Sequence, residues 1–191
     1  MDVQQTRFSA QEIAALGRRV DRPIVLVGMM GVGKSSVGKR LGAMLHWPFV
    51  DADDEIEASA RMTIPEIFET YGEDYFRDGE RRVIARLLAE GQPPCVLATG
   101  GGAFVNEATR ALILERGLAV WLDSDVDTLV ERTARKDNRP LLRQGDPREI
   151  LSRLRDERAP AYAHAPIHVM SAPGPHTHTL NRVLQGIAQW L

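Results

Sequence analysis

The chain has 191 residues, of which 43% are hydrophobic and 26% are charged, and its formal net charge is −2. These proportions are typical of one globular domain, and the charge balance argues against a protein whose whole surface binds nucleic acid or an anionic membrane. One cysteine excludes an intrachain disulfide framework and a cysteine-based zinc cluster. No apolar run is long enough to span a bilayer. We therefore expect a cytoplasmic protein with no nucleic-acid or membrane partner.

The chain begins with a short N-terminal extension, residues 1–21, ahead of a domain at residues 22–191. Within the extension, Ser9 and Glu12 have the spacing of a capping box. In that motif the two side chains satisfy backbone N–H groups at the start of a helix. A short helix is therefore predicted to begin at Ser9 and to end near Gly17.

In the domain, short apolar runs alternate with stretches of helical periodicity. The apolar runs predict strands at residues 24–27, 49–51, 95–98, 119–122 and 167–170. The periodic stretches predict helices at residues 33–45, 53–60, 63–70, 75–90, 106–116, 126–135, 148–158 and 180–191. This alternation is typical of an α/β protein, and we expect a doubly wound, five-stranded parallel sheet with flanking helices. A polar segment with Pro and Gly, residues 136–147, indicates a mobile loop.

The residues after the first predicted strand match a phosphate-binding loop (P-loop) motif in full. Gly28, Gly33, Lys34 and Ser35 occupy the fixed positions of G-x-x-x-x-G-K-[ST]. Glycines let backbone N–H groups turn inward onto phosphate oxygens, and the following helix N-terminus favours the same anion. The lysine bridges the outer phosphates, and the serine supplies an oxygen to Mg²⁺. The expected nucleotide contacts are Gly31, Val32, Gly33, Lys34, Ser35 and Ser36.

Two large classes of nucleotide-binding protein are excluded by missing motifs. The sequence contains neither the N-K-x-D base-reading motif nor the D-x-x-G switch motif of GTPases. The fourth predicted strand ends in Asp123, but Ser124 follows where motor ATPases usually carry a glutamate. Asp123 or Asp125 is instead predicted to start the next helix. Among nucleotide-binding proteins, the remaining class is a kinase that acts on a small molecule.

Two carboxylates follow the second predicted strand. Alternate residues at a strand end point the same way, so Asp51 and Asp53 can share a site. Ligands of open α/β sheets bind at the carboxyl ends of strands. One carboxylate can orient the metal through water while the other accepts a hydroxyl proton. The alternative is that Asp53 or Asp54 only caps the next helix, and the residues alone leave both interpretations open.

Further motifs recur in a fixed order between about residues 24 and 162. After the P-loop and the Asp51-x-Asp53 pair come Phe76-Arg77 followed by Glu80, Gly100-Gly101-Gly102, Arg139-Pro140-Leu141-Leu142 and Arg158-x-Pro160-x-Tyr162. With this ordered set the chain resembles the shikimate kinase family, within the nucleoside-monophosphate-kinase-like P-loop group. The N-terminal extension and the tail rich in His and Pro are outside the resemblance.

The resemblance implies ATP-dependent phosphorylation of the 3-hydroxyl of shikimate (EC 2.7.1.71), in the biosynthesis of chorismate and aromatic amino acids, by a monomer. By analogy with the family, Arg77 and Arg158 would bind the shikimate carboxylate, which suits the planar, bidentate donors of arginine. Asp53 would bind a ring hydroxyl pair and take the proton of the attacking 3-hydroxyl. Asp51 would act on Mg²⁺ through water. Close approach of the substrate to the backbone is implied for Gly100, Gly101 and Gly102.

The resemblance also implies a lid over the nucleotide. Arg139 lies in the polar segment 136–147, which matches the family's lid, and its guanidinium would offset charge on the transferring phosphoryl group. Lys34 and Asp53 complete the expected catalytic set. Arg132 aligns with a family position that stacks on adenine, and Arg135 is a near neighbour of it.

Several alternatives stay open from the sequence. Arg77 could be a solvated helix residue paired with Glu73 or Glu80, and Glu80 could orient Arg77 instead of touching substrate. Arg158 could pair with a neighbouring acidic residue on a surface helix. For Tyr162 we expect a structural role in packing and not a catalytic role. For the whole chain, the alternative functions are a gluconate kinase and a non-catalytic nucleotide-binding homologue.

Overall fold

The structure is a computed structural model that describes residues 8–134, 145–171 and 176–191. It contains five strands: β1 (Ile24–Val27), β2 (Phe49–Asp51), β3 (Val96–Ala98), β4 (Leu118–Asp123) and β5 (Ile167–Met170). All of the strand pairings are parallel, in the order β2-β3-β1-β4-β5. The predicted five-stranded parallel sheet is therefore confirmed.

Eight helices of the described residues flank the sheet. They are α1 (Ala10–Arg19), α2 (Lys34–Leu45), α3 (Ala52–Ala60), α4 (Ile64–Leu87), α5 (Glu107–Arg116), α6 (Val126–Ala134), α7 (Pro147–Tyr162) and α8 (His176–Trp190). Helices α1, α2 and α8 form one mutually contacting group, and α3, α4 and α5 form another chain of contacts. None of the helices in the described ranges is long and apolar enough to cross a membrane.

Burial explains why the apolar runs form strands in these places. Every residue of the central strands β1 and β4 is buried, as expected for parallel strands covered on both faces. Strand β5 lies at the edge of the sheet, and its residues alternate between buried and exposed. The main core surrounds the three inner strands, β3, β1 and β4. Because the strands are parallel and in the order β2-β3-β1, the carboxyl ends of β1, β2 and β3 lie side by side.

A second, smaller core lies between α3 and α4. Ile56 of α3 packs with Ile67, Phe76 and Val83 of α4 in a cluster distinct from the main core. This packing fixes the face of α4 that carries Arg77.

Helix α4 differs from the sequence prediction of two separate helices with a break at residues 71–74. The chain runs as one helical element from Ile64 to Leu87, with a local break at Gly72. The backbone of Gly72 has a φ of 82°, a conformation that glycine adopts at little cost. Helix formation resumes directly after this one residue, which keeps both halves of α4 against the same neighbours.

Helix α7 is longer than the predicted 148–158. It continues through Pro160, which lacks a backbone N–H to donate, and it ends at Tyr162. Three polar side chains of α7, those of Arg155, Arg158 and Tyr162, are three or four residues apart and therefore lie on one face of the helix.

The predicted N-terminal helix is present as α1 and extends two residues beyond Gly17. The side chain of Glu12 accepts a hydrogen bond from the backbone N of Ser9 at 2.7 Å, and the Ser9 hydroxyl oxygen accepts one from the backbone N of Glu12 at 3.3 Å. These two bonds complete the capping box. Ile13 and Leu16 of α1 are buried in the main core, so this helix packs on the domain.

Candidate active site

The site forms where the carboxyl ends of three neighbouring strands meet. Leu26 of β1 and Asp51 of β2 are both in register with Ala98 of β3. The segments that leave these strands therefore begin at one edge of the sheet. They are the P-loop after β1, the start of α3 after β2, and the glycine triplet Gly100-Gly101-Gly102 after β3. Such an edge is the usual ligand-binding position in open α/β sheets.

The backbone of the P-loop has conformations that require glycine. Gly28, Gly31 and Gly33 have φ values of 135°, 84° and 94°. A Cβ on Gly28 would lie 2.2 Å from the carbonyl oxygen of Leu122. The amine of Lys34 donates to the carbonyl oxygens of Gly28 and Met29 at 2.8 and 2.9 Å, so its charge lies inside the curl of the loop.

The N-terminus of α2 is open to an anion. Gly33 is the N-cap residue, and no side chain caps the helix there. The first backbone N–H groups of α2 therefore have no side-chain acceptor. Within the loop Val32 is buried, and Ser35 and Ser36 lie exposed in the first turn of α2. Such a helix end, with its dipole and without a capping side chain, is suited to a phosphate.

Asp51 links the P-loop to the start of α3. One of its carboxylate oxygens accepts a hydrogen bond from the Ser35 hydroxyl at 2.7 Å, and the other accepts one from the backbone N of Asp53 at 3.2 Å. Asp51 is thus the N-cap of α3, and the alternative that Asp53 or Asp54 caps this helix is wrong. The serine hydroxyl and this carboxylate together form an oxygen donor set of the kind that Mg²⁺ prefers.

The carboxyl group of Asp53 has an unusual acidity for an aspartate. Burial, together with the charges of Asp51 and Glu80, raises its pKa to about 6, although Lys34 acts in the opposite direction. Such a group is ionised at neutral pH but binds a proton far more readily than an exposed aspartate does. A pKa close to the working pH is the property needed in a general base.

Arg77 and Glu80 form a partly buried ion pair on α4. Nη1 of Arg77 donates to Oε2 of Glu80 at 2.8 Å, and Nη2 donates to Glu73 at 3.2 Å. The Arg77 side chain is only 25% exposed, and that of Glu80 is 1% exposed. Both ion pairs considered from the sequence are therefore present, but the guanidinium is not a freely solvated group. Burial raises the pKa of Glu80, and the Arg77 charge opposes that shift.

The glycine triplet brings the separate parts of the site together. The Cβ position of Gly100 is 2.8 Å from Oε1 of Glu80 and 3.0 Å from Oδ1 of Asp53. That of Gly101 is 3.2 Å from Nη1 of Arg158 and 3.6 Å from the carbonyl oxygen of Gly28, in the P-loop.

The third glycine of the triplet lies against Arg77. The Cβ position of Gly102 is 2.5–2.7 Å from three atoms of the Arg77 guanidinium. A side chain at any position of the triplet would therefore meet a polar group of the site. This close approach explains why all three positions are occupied by glycine.

Sequence reasoning missed a second ion pair, which holds α7 to the sheet. Asp123, at the end of β4, is buried and accepts hydrogen bonds from Nε and Nη2 of Arg155 at 3.2 and 3.0 Å. Asp123 does not start α6; Asp125 does, and it accepts a hydrogen bond from the backbone N of Thr128 at 2.7 Å. Because Arg155 and Arg158 are one turn apart on α7, this pair fixes the helix that carries Arg158.

Arg132, on α6, lies beside the P-loop. Its Nη1 donates to the carbonyl oxygen of Val32 and to the hydroxyl of Ser171, each at 3.2 Å. This position is consistent with an arginine near a bound nucleotide. The predicted lid arginine, Arg139, lies outside the described residues, as does Arg135.

Comparisons with known proteins agree with this geometry. The family model for shikimate kinase matches residues 30–188. A shikimate kinase from Novosphingobium aromaticivorans is 65% identical over 193 residues, with both chains covered in full. A shikimate kinase from Caulobacter vibrioides is 57% identical over 168 residues, which cover 88% of this chain and 83% of that one.

Solved structures give the same result. The shikimate kinase from Acinetobacter baumannii, in complex with shikimate, superposes with a TM-score of 0.82 at 38% identity, over 88% of this chain and 93% of that one. A gluconokinase from Sinorhizobium meliloti reaches a TM-score of 0.58 at 20% identity, which shows a shared fold alone. The P-loop, the glycine triplet and the match along most of the chain lead to one conclusion: this chain belongs to the shikimate kinase family.

Proposed function

We propose that this protein transfers the γ-phosphoryl group of ATP to the 3-hydroxyl of shikimate, forming shikimate 3-phosphate and ADP. Beyond the family membership, one observation carries the proposal. The Cβ positions of the glycine triplet lie within 3.2 Å of the side chains of Asp53, Arg77 and Arg158, and that of Gly101 also lies 3.6 Å from the P-loop backbone. A carboxylate-binding arginine pair, a base and a phosphate-binding loop are thus adjacent within a single chain, and we expect a monomer to be active.

The nucleotide side of the proposal rests on the P-loop and on α6. The open N-terminus of α2 would receive the phosphates of ATP, and the Lys34 amine would exchange its backbone carbonyl partners for phosphate oxygens. Arg132, which touches the P-loop at Val32, would contact the adenine. For Arg139 the lid role stays a prediction from the sequence.

The residues next to the P-loop also fit a magnesium ion. Ser35 and Asp51 present a hydroxyl and a carboxylate that are already hydrogen-bonded to each other. Mg²⁺ commonly binds through one or two such protein oxygens, directly or through water, and takes its other ligands from phosphates and water. When bound, the ion would supply positive charge to the phosphate oxygens.

The acceptor side of the proposal uses two arginines. Arg77 and Arg158 lie against consecutive members of the glycine triplet, Gly102 and Gly101. Two guanidinium groups this close together suit the carboxylate of shikimate, because each offers planar paired donors. Glu80 would orient Arg77 through its 2.8 Å hydrogen bond and is proposed as a positioning residue.

Asp53 is proposed as the general base. Its carboxylate would accept the proton of the 3-hydroxyl as the hydroxyl oxygen bonds to the γ-phosphorus. The bond from that phosphorus to the oxygen bridging it to the β-phosphate breaks, and ADP leaves with the electron pair. The raised pKa of about 6 makes Asp53 a better proton acceptor than an ordinary aspartate while leaving it ionised at neutral pH.

The test is to identify the product. The purified protein is incubated with ATP, Mg²⁺ and shikimate, and the products are followed by phosphorus NMR. We expect a new phosphate monoester resonance that couples to the proton on carbon 3 of the shikimate ring, together with ADP. Inorganic phosphate and ADP without the monoester would contradict phosphoryl transfer, and a monoester on another ring position would contradict the assigned hydroxyl.

A further inference from the structure

Gly100 to Ala103 form a β-turn at the floor of the site. The backbone N of Ala103 donates to the carbonyl oxygen of Gly100 at 3.2 Å, which places Gly101 and Gly102 at the two central positions. Neither central residue has a positive φ, so the turn is not of type II, which needs a φ of about +80° at its third residue.

Because both central residues are glycines, the backbone of this turn has no strong intrinsic preference between the type I and type II conformations. The type I and type II turns differ by a flip of the central peptide, here the peptide that joins Gly101 to Gly102. Glycine accepts positive and negative φ about equally well, so the glycine backbone itself does not prevent the flip. Another group must select the observed orientation.

Tyr162, at the end of α7, supplies that group. Its hydroxyl donates a short hydrogen bond to the carbonyl oxygen of Gly101. The side chain is buried, with 1% of the residue exposed, and its ring packs on that of Trp121 with centroids 5.8 Å apart. Burial raises the pKa of Tyr162 to about 12, although the charge of Arg158 opposes this. The hydroxyl therefore remains a donor at physiological pH.

The hydrogen bond to the carbonyl also determines where the Gly102 N–H points. The peptide bonds of the described residues are all trans, so the N–H of Gly102 points away from the carbonyl of Gly101, and hence away from Tyr162. Within the described part of the chain, this N–H donates no hydrogen bond. Both guanidinium groups of the site lie against this peptide: the Arg158 guanidinium lies at Gly101, and the Arg77 guanidinium lies at Gly102.

We propose that Tyr162 is a positioning residue, which holds the Gly101–Gly102 peptide so that the Gly102 N–H donates to a polar oxygen of the bound acceptor, beside Arg77 and Arg158. This inference rests on the proposed function, because the acceptor is the one named there. It gives Tyr162 a role in substrate affinity in addition to the packing expected from the sequence.

The test compares the wild-type protein with Tyr162→Phe, which keeps the ring and removes only the hydroxyl. We expect the KM for shikimate, and its Kd measured by calorimetry without nucleotide, to rise about tenfold, equivalent to about 1.4 kcal/mol. The KM for ATP should change by less than about twofold. An unchanged KM and Kd for shikimate in folded Tyr162→Phe would overturn the inference.

A matched control separates positioning from stability. Thr128→Val also removes a buried hydroxyl that donates a hydrogen bond, in this case to Asp125 at 2.8 Å, but on α6 and away from the acceptor side of the site. We expect both variants to lower the melting temperature and only Tyr162→Phe to change the shikimate KM. Equal changes in shikimate KM for the two variants would contradict a specific role of Tyr162.

A measurement on the unaltered protein keeps the inference falsifiable if Tyr162→Phe does not fold. In the wild-type protein labelled with ¹⁵N-glycine, shikimate should shift the Gly102 amide resonance, as expected for a new hydrogen bond. No shift at saturating shikimate would overturn the inference while leaving the proposed function intact. A wild-type protein that neither binds nor phosphorylates shikimate would overturn both.

Discussion

Arg77 and Glu80, one turn apart on α4, are joined by a hydrogen bond of 2.8 Å from Nη1 to Oε2. The other carboxylate oxygen, Oε1, is buried and has no partner among the described residues. It lies 2.8 Å from the Cβ position of Gly100. A buried carboxylate with an unused acceptor is costly, so this arrangement indicates a group maintained for the site and not for the stability of α4.

Glu80→Gln tests this pair. The amide keeps a hydrogen-bond acceptor for Arg77 but removes the negative charge that holds the guanidinium in place. We expect the shikimate KM to rise by about tenfold and the ATP KM to stay within about twofold, as measured by steady-state kinetics with each substrate varied.

The matched control for Glu80→Gln is Asp78→Asn on the same helix. Arg81 and Asp78 also pair at 2.8 Å with the same sequence spacing, but both are largely exposed, and exposed pairs contribute little. Asp78→Asn should leave both KM values unchanged. The same rise in shikimate KM in both variants would show that the effect of Glu80→Gln is not specific to the site.

Gly102→Ala tests the close approach of the glycine triplet to Arg77. The added Cβ would lie 2.5–2.7 Å from the guanidinium, so the arginine must move out of its present position. We expect a rise in shikimate KM of about tenfold or more with ATP binding retained. Gly79→Ala, on α4, is the control, because its Cβ would meet nothing within 4 Å. That variant should be stabilised by about 0.5–1 kcal/mol, and wild-type shikimate affinity in Gly102→Ala would contradict the assigned contact.

Asp53→Asn tests Asp53 as the proposed general base. We expect kcat to fall by at least about 100-fold while ATP binding, measured by calorimetry, survives. Asp54→Asn changes the adjacent, exposed carboxylate and should retain activity. Turnover of Asp53→Asn close to the wild-type rate would rule out Asp53 as the proton acceptor.

The pKa of Asp53 predicts the acid side of the pH profile. Because the carboxylate must be ionised to accept a proton, activity should rise with pH through about 6. Carbon NMR of the Asp53 carboxyl group, identified by its loss in Asp53→Asn, measures this pKa without interference from the nucleotide. Titration close to pH 4 would contradict a partly buried carboxyl group that is coupled to neighbouring charges.

The raised pKa of Asp53 also predicts that ionisation of this carboxyl group lowers the free energy of unfolding at high pH. The folded-state pKa of Asp53, about 6, exceeds the unfolded value of about 3.9. Protonated Asp53 therefore contributes its full share to the free energy of unfolding below the unfolded-state pKa. That share is lost as the pH rises through the folded-state pKa of about 6. At pH 8, Asp53→Asn should be more stable than the wild type by about 3 kcal/mol, or about 6–12 °C in melting temperature.

Melting curves at pH 8 and pH 4 test this sign. The advantage of Asp53→Asn should shrink to a small fraction of its pH 8 value at pH 4, where the wild-type carboxyl group is protonated in the folded state and about half protonated in the unfolded state. An advantage of equal size at the two pH values would show that the effect does not arise from ionisation.

The parts of the protein that depend on local sequence could be predicted. Apolar runs located all five strands. The three inner strands are buried on both faces and tolerate few polar residues, and the edge strands β2 and β5 are short runs that are still mostly apolar. The P-loop could be recognised because Gly28, Gly33, Lys34 and Ser35 are close in sequence and their spacing is set by the phosphate itself.

Relationships between distant residues could not be predicted in the same way. Tyr162 bonds to Gly101, 61 residues away, and Arg155 pairs with Asp123, 32 residues away. Neither pairing leaves a periodic or spacing signal, since each depends on how α7 lies across the sheet. The capping role of Asp51 was also missed, because the motif Asp51-Ala52-Asp53-Asp54 offers three carboxylates and only the backbone selects one.

The central claim, phosphoryl transfer to shikimate, is tested most directly by coupled ADP release. The purified protein receives ATP and Mg²⁺ with shikimate, with gluconate or with no acceptor. The account predicts rapid ADP release that depends on shikimate and does not occur with gluconate. Release that is the same in all three reactions, or none in any while ATP still binds, would contradict it and would favour a non-catalytic homologue or another acceptor.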